Sequence, residues 1–172
     1  MTLAEKAGAP ADCRLWLVLL SAAVVVLDRV TKWLVAAHIE LGDAIPVIPN
    51  VFRISHVENQ GAAFSLFNDS SSPARVRWLL LAFSLLAAFV VLFFLWKLGR
   101  TITGTSVALA LIFGGALGNA YDRLRFGYVI DFLEVRIIHY HWPDFNIADS
   151  AIVIGGLLLL LAAFRETEQS GS

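Results

Sequence analysis

The chain has 172 residues, 58% of them hydrophobic, a formal net charge of -1 and a mean hydropathy of +0.73. Such a length suits one domain, and such a hydropathy lies outside the range of soluble globular proteins, which leaves a membrane protein. The balanced charge makes no case for nucleic acid, and the single cysteine, Cys13, excludes an internal disulfide, a zinc cluster or a Cys-x-x-Cys redox pair.

The first apolar run, 15–38, follows Lys6 and Arg14 as the core of a secretory leader would. No small-residue cleavage site follows it, so it is expected to remain as an uncleaved anchor. Within it Asp28 and Lys32 stand four apart, hence on one helix face, with the acid first, the favourable order for an ion pair.

The segment 39–75 opens with "LGDAIPVIPN", whose Pro46 and Pro49 suggest turns, and continues with "VFRISHV", which alternates like a strand. Next comes "ENQGAAFS", where Gly61 permits close backbone approach, and then the polar break "NDSSSP". The second span, 78–96, is bracketed by Trp78 and Trp96, residues that favour the membrane interface. A short basic turn, "KLGRTITG", leads to the third span, 105–121, where Gly114 and Gly118 form a small-xxx-small packing face. At its end stand Asn119, Asp122 and Arg123. They read either as a polar terminus with Asp122 paired to an arginine or as the support of an active site.

The segment "GYVIDFLEVRIIHYHWPDF" is rich in β-branched and aromatic residues between Gly127 and Pro143, so it too reads as strand. An isolated hairpin is marginal in water, and the two strand-forming segments are therefore expected to pair as a small sheet on the membrane surface. His139 and His141 share a strand face near Asp144 and could hold a metal; exposed interfacial histidines beside Trp142 are the simpler reading. The fourth span, 145–164, begins after "WPDFN" and carries Asp149 in its first turn, and the tail "RETEQSGS" is expected to be disordered.

Each span is about long enough, at ~1.5 Å per residue, to cross ~30 Å of hydrocarbon. The expected architecture is a single integral-membrane domain over 1–172 with four transmembrane helices and a small β-sheet on one surface. Four spans put both termini on one side. Since short basic loops stay in the cytoplasm, the termini are placed there and the acidic segment 39–75 outside.

Charges in a membrane cost ~2.5 to 3.5 kcal/mol each on insertion scales and need partners or a water-filled cavity. Asp149 sits at a helix N-terminus, and Asp131 lies 18 positions upstream across a loop that could fold back. Two carboxylates about 3 Å apart cannot both ionise easily, so one can polarise a carbonyl while the other takes a proton from water. Such a pair hydrolyses an amide without metal or covalent intermediate. Proton relays also use membrane aspartates, and Asp28 with Asp122 is a competing pair; a small proton-coupled transporter is the alternative from another class. Ser65, Ser84 and Ser150 lack a nucleophile elbow and no Ser-x-x-Lys spacing occurs.

The ordered set "LDRVTK" (27–32), "ENQGAAFS" (58–65), "GGALGNAYDR" (114–123), "VIDF" (129–132) and "FNIADS" (145–150) closely resembles the bacterial lipoprotein signal peptidases, or signal peptidase II, over about 15–164. The resemblance implies an inner-membrane aspartyl endopeptidase with four transmembrane helices and a β-cradle on the periplasmic surface. It implies removal of the signal peptide from prolipoproteins just before a diacylglyceryl-modified cysteine, with Asp131 and Asp149 as catalytic dyad. By the same transfer Asp28, Lys32, Asn59, Gly61, Asn119, Asp122, Arg123, Asn146 and Ala148 orient the dyad, bind substrate backbone or support the helices, while Arg29 stands where Gln is common. The family also implies inhibition by globomycin-type cyclic peptides, contact with membrane lipids, no cofactor, no metal and action as a monomer.

Overall fold

The computed structural model describes residues 12–61, 73–138 and 140–170. In chain order these form α1 (Arg14–His38), β1 (Ala44–Ile48), β2 (Phe52–Asn59), α2 (Pro73–Leu98), α3 (Gly104–Arg125), β3 (Val129–Ile137), β4 (Tyr140–His141) and α4 (Ile147–Ser170). The helix α3 is the hub, packing against α1, α2 and α4.

Its sequence explains that role. Thr103 and Ser106 close a reciprocal capping box at its start, with Ser106 N donating to Thr103 Oγ1 at 3.1 Å and Thr103 N to Ser106 Oγ at 2.8 Å. Small residues then let neighbours approach. A Cβ on Gly114 would lie 2.7 Å from the Ser21 carbonyl oxygen of α1, and one on Gly155 of α4 would lie 2.7 Å from that of Ala108. Gly114 and Gly155 thus let helix backbones approach closely.

Among the described residues three helices are long and apolar enough to cross a membrane: Arg75–Leu98, Gly104–Arg125 and Ile147–Arg165. On α2, Leu79, Phe83 and Phe89 are each 70% exposed, a surface suited to lipid and not to water. The 25-residue α1 is as long but carries Asp28, Arg29 and Lys32. Its buried stripe is Leu17, Ser21, Val24, Asp28, Lys32 and Val35, a strict three-to-four spacing, so the acid and the lysine point inward with the core.

Two expectations are corrected. The tail does not begin at 165: α4 continues through Ser170, because Arg, Glu and Gln are good helix formers and no glycine intervenes before Gly171. The "AIPVI" stretch is also not turn but the strand β1, with Pro46 paired opposite Arg53. β1 is an edge of the sheet, whose order is β1-β2-β3-β4, and its register shifts just after Pro46, the kind of place where a strand tolerates proline.

All neighbouring strands are antiparallel. The two strand-forming segments pair as expected, Val57 opposite Asp131 and Asn59 opposite Val129, with an irregularity between Ile54 and Val57. The sheet is tied to the helices by Val35 of α1 and Ile39 just beyond its end, which pack with Ile130 and Phe132, and by a 2.8 Å contact from His56 Nδ1 to the Ile39 carbonyl.

Candidate active site

Beyond β4 the chain turns back so that Phe145 bridges to Leu133 of β3. The Phe132 and Leu133 amides donate to the Phe145 carbonyl at 3.0 and 2.8 Å, and the Phe145 amide donates to Leu133 O at 3.2 Å. This return sets Asn146 beside Asp131 and starts α4 there.

Asn146 is the N-cap of α4. Its Oδ1 accepts from the Asp149 amide at 2.9 Å, and its own amide donates to Asp149 Oδ2 at 3.3 Å, a capping box with Asp in place of the usual Glu. Because Asn146 Oδ1 is committed to a donor, its NH2 group faces the other way. It donates to Asp131 Oδ1 at 2.7 Å. One fully buried asparagine therefore holds both carboxylates, through its backbone to Asp149 and its side chain to Asp131.

Each carboxylate has a second amide partner. Asn59 lies diagonal to Asp131 across the β2–β3 pair and donates from Nδ2 to Asp131 Oδ2 at 2.9 Å; its Oδ1 accepts from the Gly61 amide at 2.9 Å, which fixes the amide's orientation. Asn119 of α3 donates from Nδ2 to Asp149 Oδ1 at 2.7 Å. Asp131 is 2% exposed, whereas Asp149 is half-buried. Burial, with the nearby charge of Asp149, pushes the Asp131 carboxyl from the ordinary 3.8 up to about 7.

Beneath this layer lies a charged one. Lys32 Nζ donates to Asp28 Oδ2 at 2.8 Å and to Asn119 Oδ1 at 3.2 Å, and also lies 2.8 Å from Asp122 Oδ2. Arg29 pairs with Asp122 Oδ1. The amide of Ala148, which is fully buried, donates to Asp28 Oδ1 at 3.0 Å, tying the start of α4 to α1. A Cβ on Gly118 would sit 2.9 Å from Asp28 Oδ2 and 3.3 Å from the Ala148 Cβ, so only glycine lets these three helices meet around the acid. Arg123, half-buried, adds a positive charge felt by Asp149, Asp131 and Asp122.

The structure thus gathers Asp28, Lys32, Asn59, Gly61, Asn119, Asp122, Asn146, Ala148, Asp131 and Asp149 into one connected set. Asp28 and Asp122, the competing pair, each face Lys32, and Asp122 faces Arg29 as well. Residues 62–65 of "ENQGAAFS" and His139 lie outside the described residues. No group of three or more His, Cys, Asp or Glu side chains suited to a metal occurs among the described residues.

Two features had no expectation attached. Arg77 of α2 donates to the carbonyls of Arg123 at 3.0 Å and Leu124 at 3.1 Å, capping the C-terminus of α3 with a cation. It fits because Gly127, at φ +92°, has no side chain: a Cβ there would meet Arg77 Nη1 at 2.9 Å. A helix ending in "RFG" hints at such a terminus, but no local pattern names the cation. The second is a cross-strand group in which Glu134 pairs with Arg53 and Arg136, next to a cavity of about 330 Å³ that Asp144 and Trp142 also line. Its only signal is the charge alternation of "LEVR".

The family model described as signal peptidase (SPase) II matches residues 20–165. A lipoprotein signal peptidase of Solibacter usitatus is 42% identical over 152 residues, covering 88% of this chain and 92% of the relative. One from Desulforapulum autotrophicum is 45% identical over 139 residues, covering 81% and 85%. A bacterial membrane enzyme solved by the in meso method at 2.3 Å superposes with a TM-score of 0.79 at 32% identity, over 90% of each chain.

Proposed function

Because the chain belongs to the signal peptidase II family, we propose that it is a membrane aspartyl endopeptidase that removes the signal peptide from diacylglyceryl-modified prolipoproteins. It cuts just before the lipidated cysteine, and Asp131 and Asp149 are its catalytic dyad. The observation that carries this reading is the Asn146 bridge, which donates to Asp131 Oδ1 at 2.7 Å and to Asp149 Oδ2 at 3.3 Å and so holds two carboxyls at one mouth of the helix cluster.

With Asp131 pushed up to about 7, its carboxyl is still protonated in a large share of molecules near neutral pH. One carboxylate takes a proton from water, whose oxygen attacks the scissile carbonyl carbon, while the protonated carboxyl donates to the carbonyl oxygen. Collapse of the tetrahedral intermediate breaks the C–N bond as a proton passes to the leaving amine. The roles of general acid and general base are assigned to the pair and not to either residue. Asn59, Asn119 and Asn146 aim the carboxylates, Lys32, Asp28, Asp122 and Ala148 hold the helices behind them, and Gly61 and Arg123 face the substrate.

In the proposed topology α1 is a fourth span, its charges turned inward, with both termini cytoplasmic and the sheet at the periplasmic face of the inner membrane. The substrate's acyl chains stay in lipid, which retains them by ~0.8 kcal/mol per buried methylene, while the scissile bond meets water at the dyad. The enzyme works as a monomer without a cofactor, and globomycin-type cyclic peptides block the dyad.

The test is incubation of the purified protein with one prolipoprotein bearing or lacking the diacylglyceryl group, read by mass spectrometry. Cleavage of the modified form alone, leaving the lipidated cysteine as new N-terminus, is the expected result; equal cleavage of both forms, or a cut elsewhere, overturns the proposal.

A further inference from the structure

Asp28, Lys32 and Asp122 are each 0% exposed, and together they bury two negative charges against one positive. A net buried anion is costly unless another cation reaches it. Arg29 supplies that cation from the rim of α1, with its side chain 24% exposed and its guanidinium on Asp122 Oδ1. The group is clamped by two rings at the end of α3: its carbon lies 4.8 Å from the Tyr121 centroid and 5.4 Å from that of Phe126.

The consequence for Lys32 is geometric. Asp122 Oδ2 is 2.8 Å from Lys32 Nζ, so one ammonium with three protons faces three acceptors, Asp28 Oδ2, Asn119 Oδ1 and Asp122 Oδ2, and of these Asp122 Oδ2 alone lacks a well-aligned hydrogen bond. An ammonium only donates, so the oxygen of Asn119 must face it and the NH2 group must face Asp149, 2.7 Å away. Without the Arg29 charge the buried set keeps a net negative charge, and the uncompensated Asp122 draws the Lys32 ammonium towards itself. The Asn119 oxygen is then left with the 3.3 Å donation from Asn146 Nδ2 alone, and the donor aimed at Asp149 is held less firmly.

We propose that Arg29 is a positioning residue for the dyad: it completes a neutral buried quartet with Asp122, Lys32 and Asp28, which keeps Lys32 turned to Asn119 and Asn119 turned to Asp149. The kinetic consequence rests on the peptidase reading above; the geometric one does not.

The experiment compares wild type, Arg29→Gln, Arg29→Lys and Arg29→Gln/Asp122→Asn, on cleavage of lipidated prolipoprotein and on the side-chain amide NMR signals of Asn119. Arg29→Gln should lower kcat roughly ten-fold with KM unchanged, the loss expected for one positioning hydrogen bond. Arg29→Lys should keep most of the rate. The double variant should regain rate over Arg29→Gln, since the competing carboxylate is gone, and it also carries the comparison if Arg29→Gln does not fold. The Asn119 signals should move in Arg29→Gln and return in the double variant. Unchanged kcat in Arg29→Gln, no recovery in the double variant, or Asn119 signals identical in all four proteins overturns the proposal. A wild type that cleaves nothing sinks the peptidase reading instead, and the Asn119 signals still decide the role of Arg29.

Discussion

Replacing Asp131 by asparagine should make the protein more stable at alkaline pH. A carboxyl whose folded-state pKa is raised binds its proton more tightly in the native state, so stability falls as pH climbs from the unfolded value towards the folded one. For Asp131 that window runs from 3.8 to about 7. At about 1.4 kcal/mol per pH unit, the ionised carboxylate costs the native state roughly 4 kcal/mol above neutrality. A neutral amide in its place has no such cost, though it gives up one of the acceptors that Asn59 and Asn146 now share. Comparing two pH values cancels that constant loss. Between pH 5 and pH 8 the advantage of Asp131→Asn over wild type should grow by roughly 2.5 kcal/mol, which for a domain this size is about 5 to 10 °C in Tm. Thermal unfolding of both proteins in the same detergent, scanned at one rate, measures it. A Tm difference that stays constant across pH, or shrinks on the alkaline side, would refute the argument that burial and Asp149 hold the Asp131 proton.

Two further changes test the packing behind the dyad. Lys32→Met removes the cation between two fully buried acids and should destabilise by about 3 to 5 kcal/mol, read as a large fall in Tm or loss of folded yield; a Tm within a degree of wild type would contradict the ion-pair network. Gly118→Ala puts a methyl 2.9 Å from Asp28 Oδ2 and should cost about 1 to 3 kcal/mol, while Gly156→Ala, whose added Cβ would meet nothing within 4 Å, should be neutral or stabilising by the same thermal assay.

Much of this arrangement follows local rules. Hydropathy places α2, α3 and α4, and the three-to-four spacing of the α1 stripe carries Asp28 and Lys32 inward together. Asp149 in the first turn of α4 follows from the breaker residues of "WPDFN". What lies beyond local rules is pairing over distance. The bridge from Phe145 to Leu133 sets Asn146 against Asp131, and nothing in either segment specifies that register. Likewise Arg29, adjacent to Asp28, reaches across to Asp122 on α3, a choice made by helix packing and the rings of Tyr121 and Phe126. The end of α4 differs for the opposite reason: polar residues read as a loose tail, yet they are good helix formers.

The central claim is that Asp131 and Asp149 act together on one water molecule. Its most direct test is cleavage of a diacylglyceryl-modified prolipoprotein by purified Asp131→Asn and Asp149→Asn variants, each shown to be folded by its thermal transition. Both should lose activity by several orders of magnitude while still binding substrate. Substantial turnover by either folded variant would contradict the dyad and return these aspartates to a structural or proton-relay role.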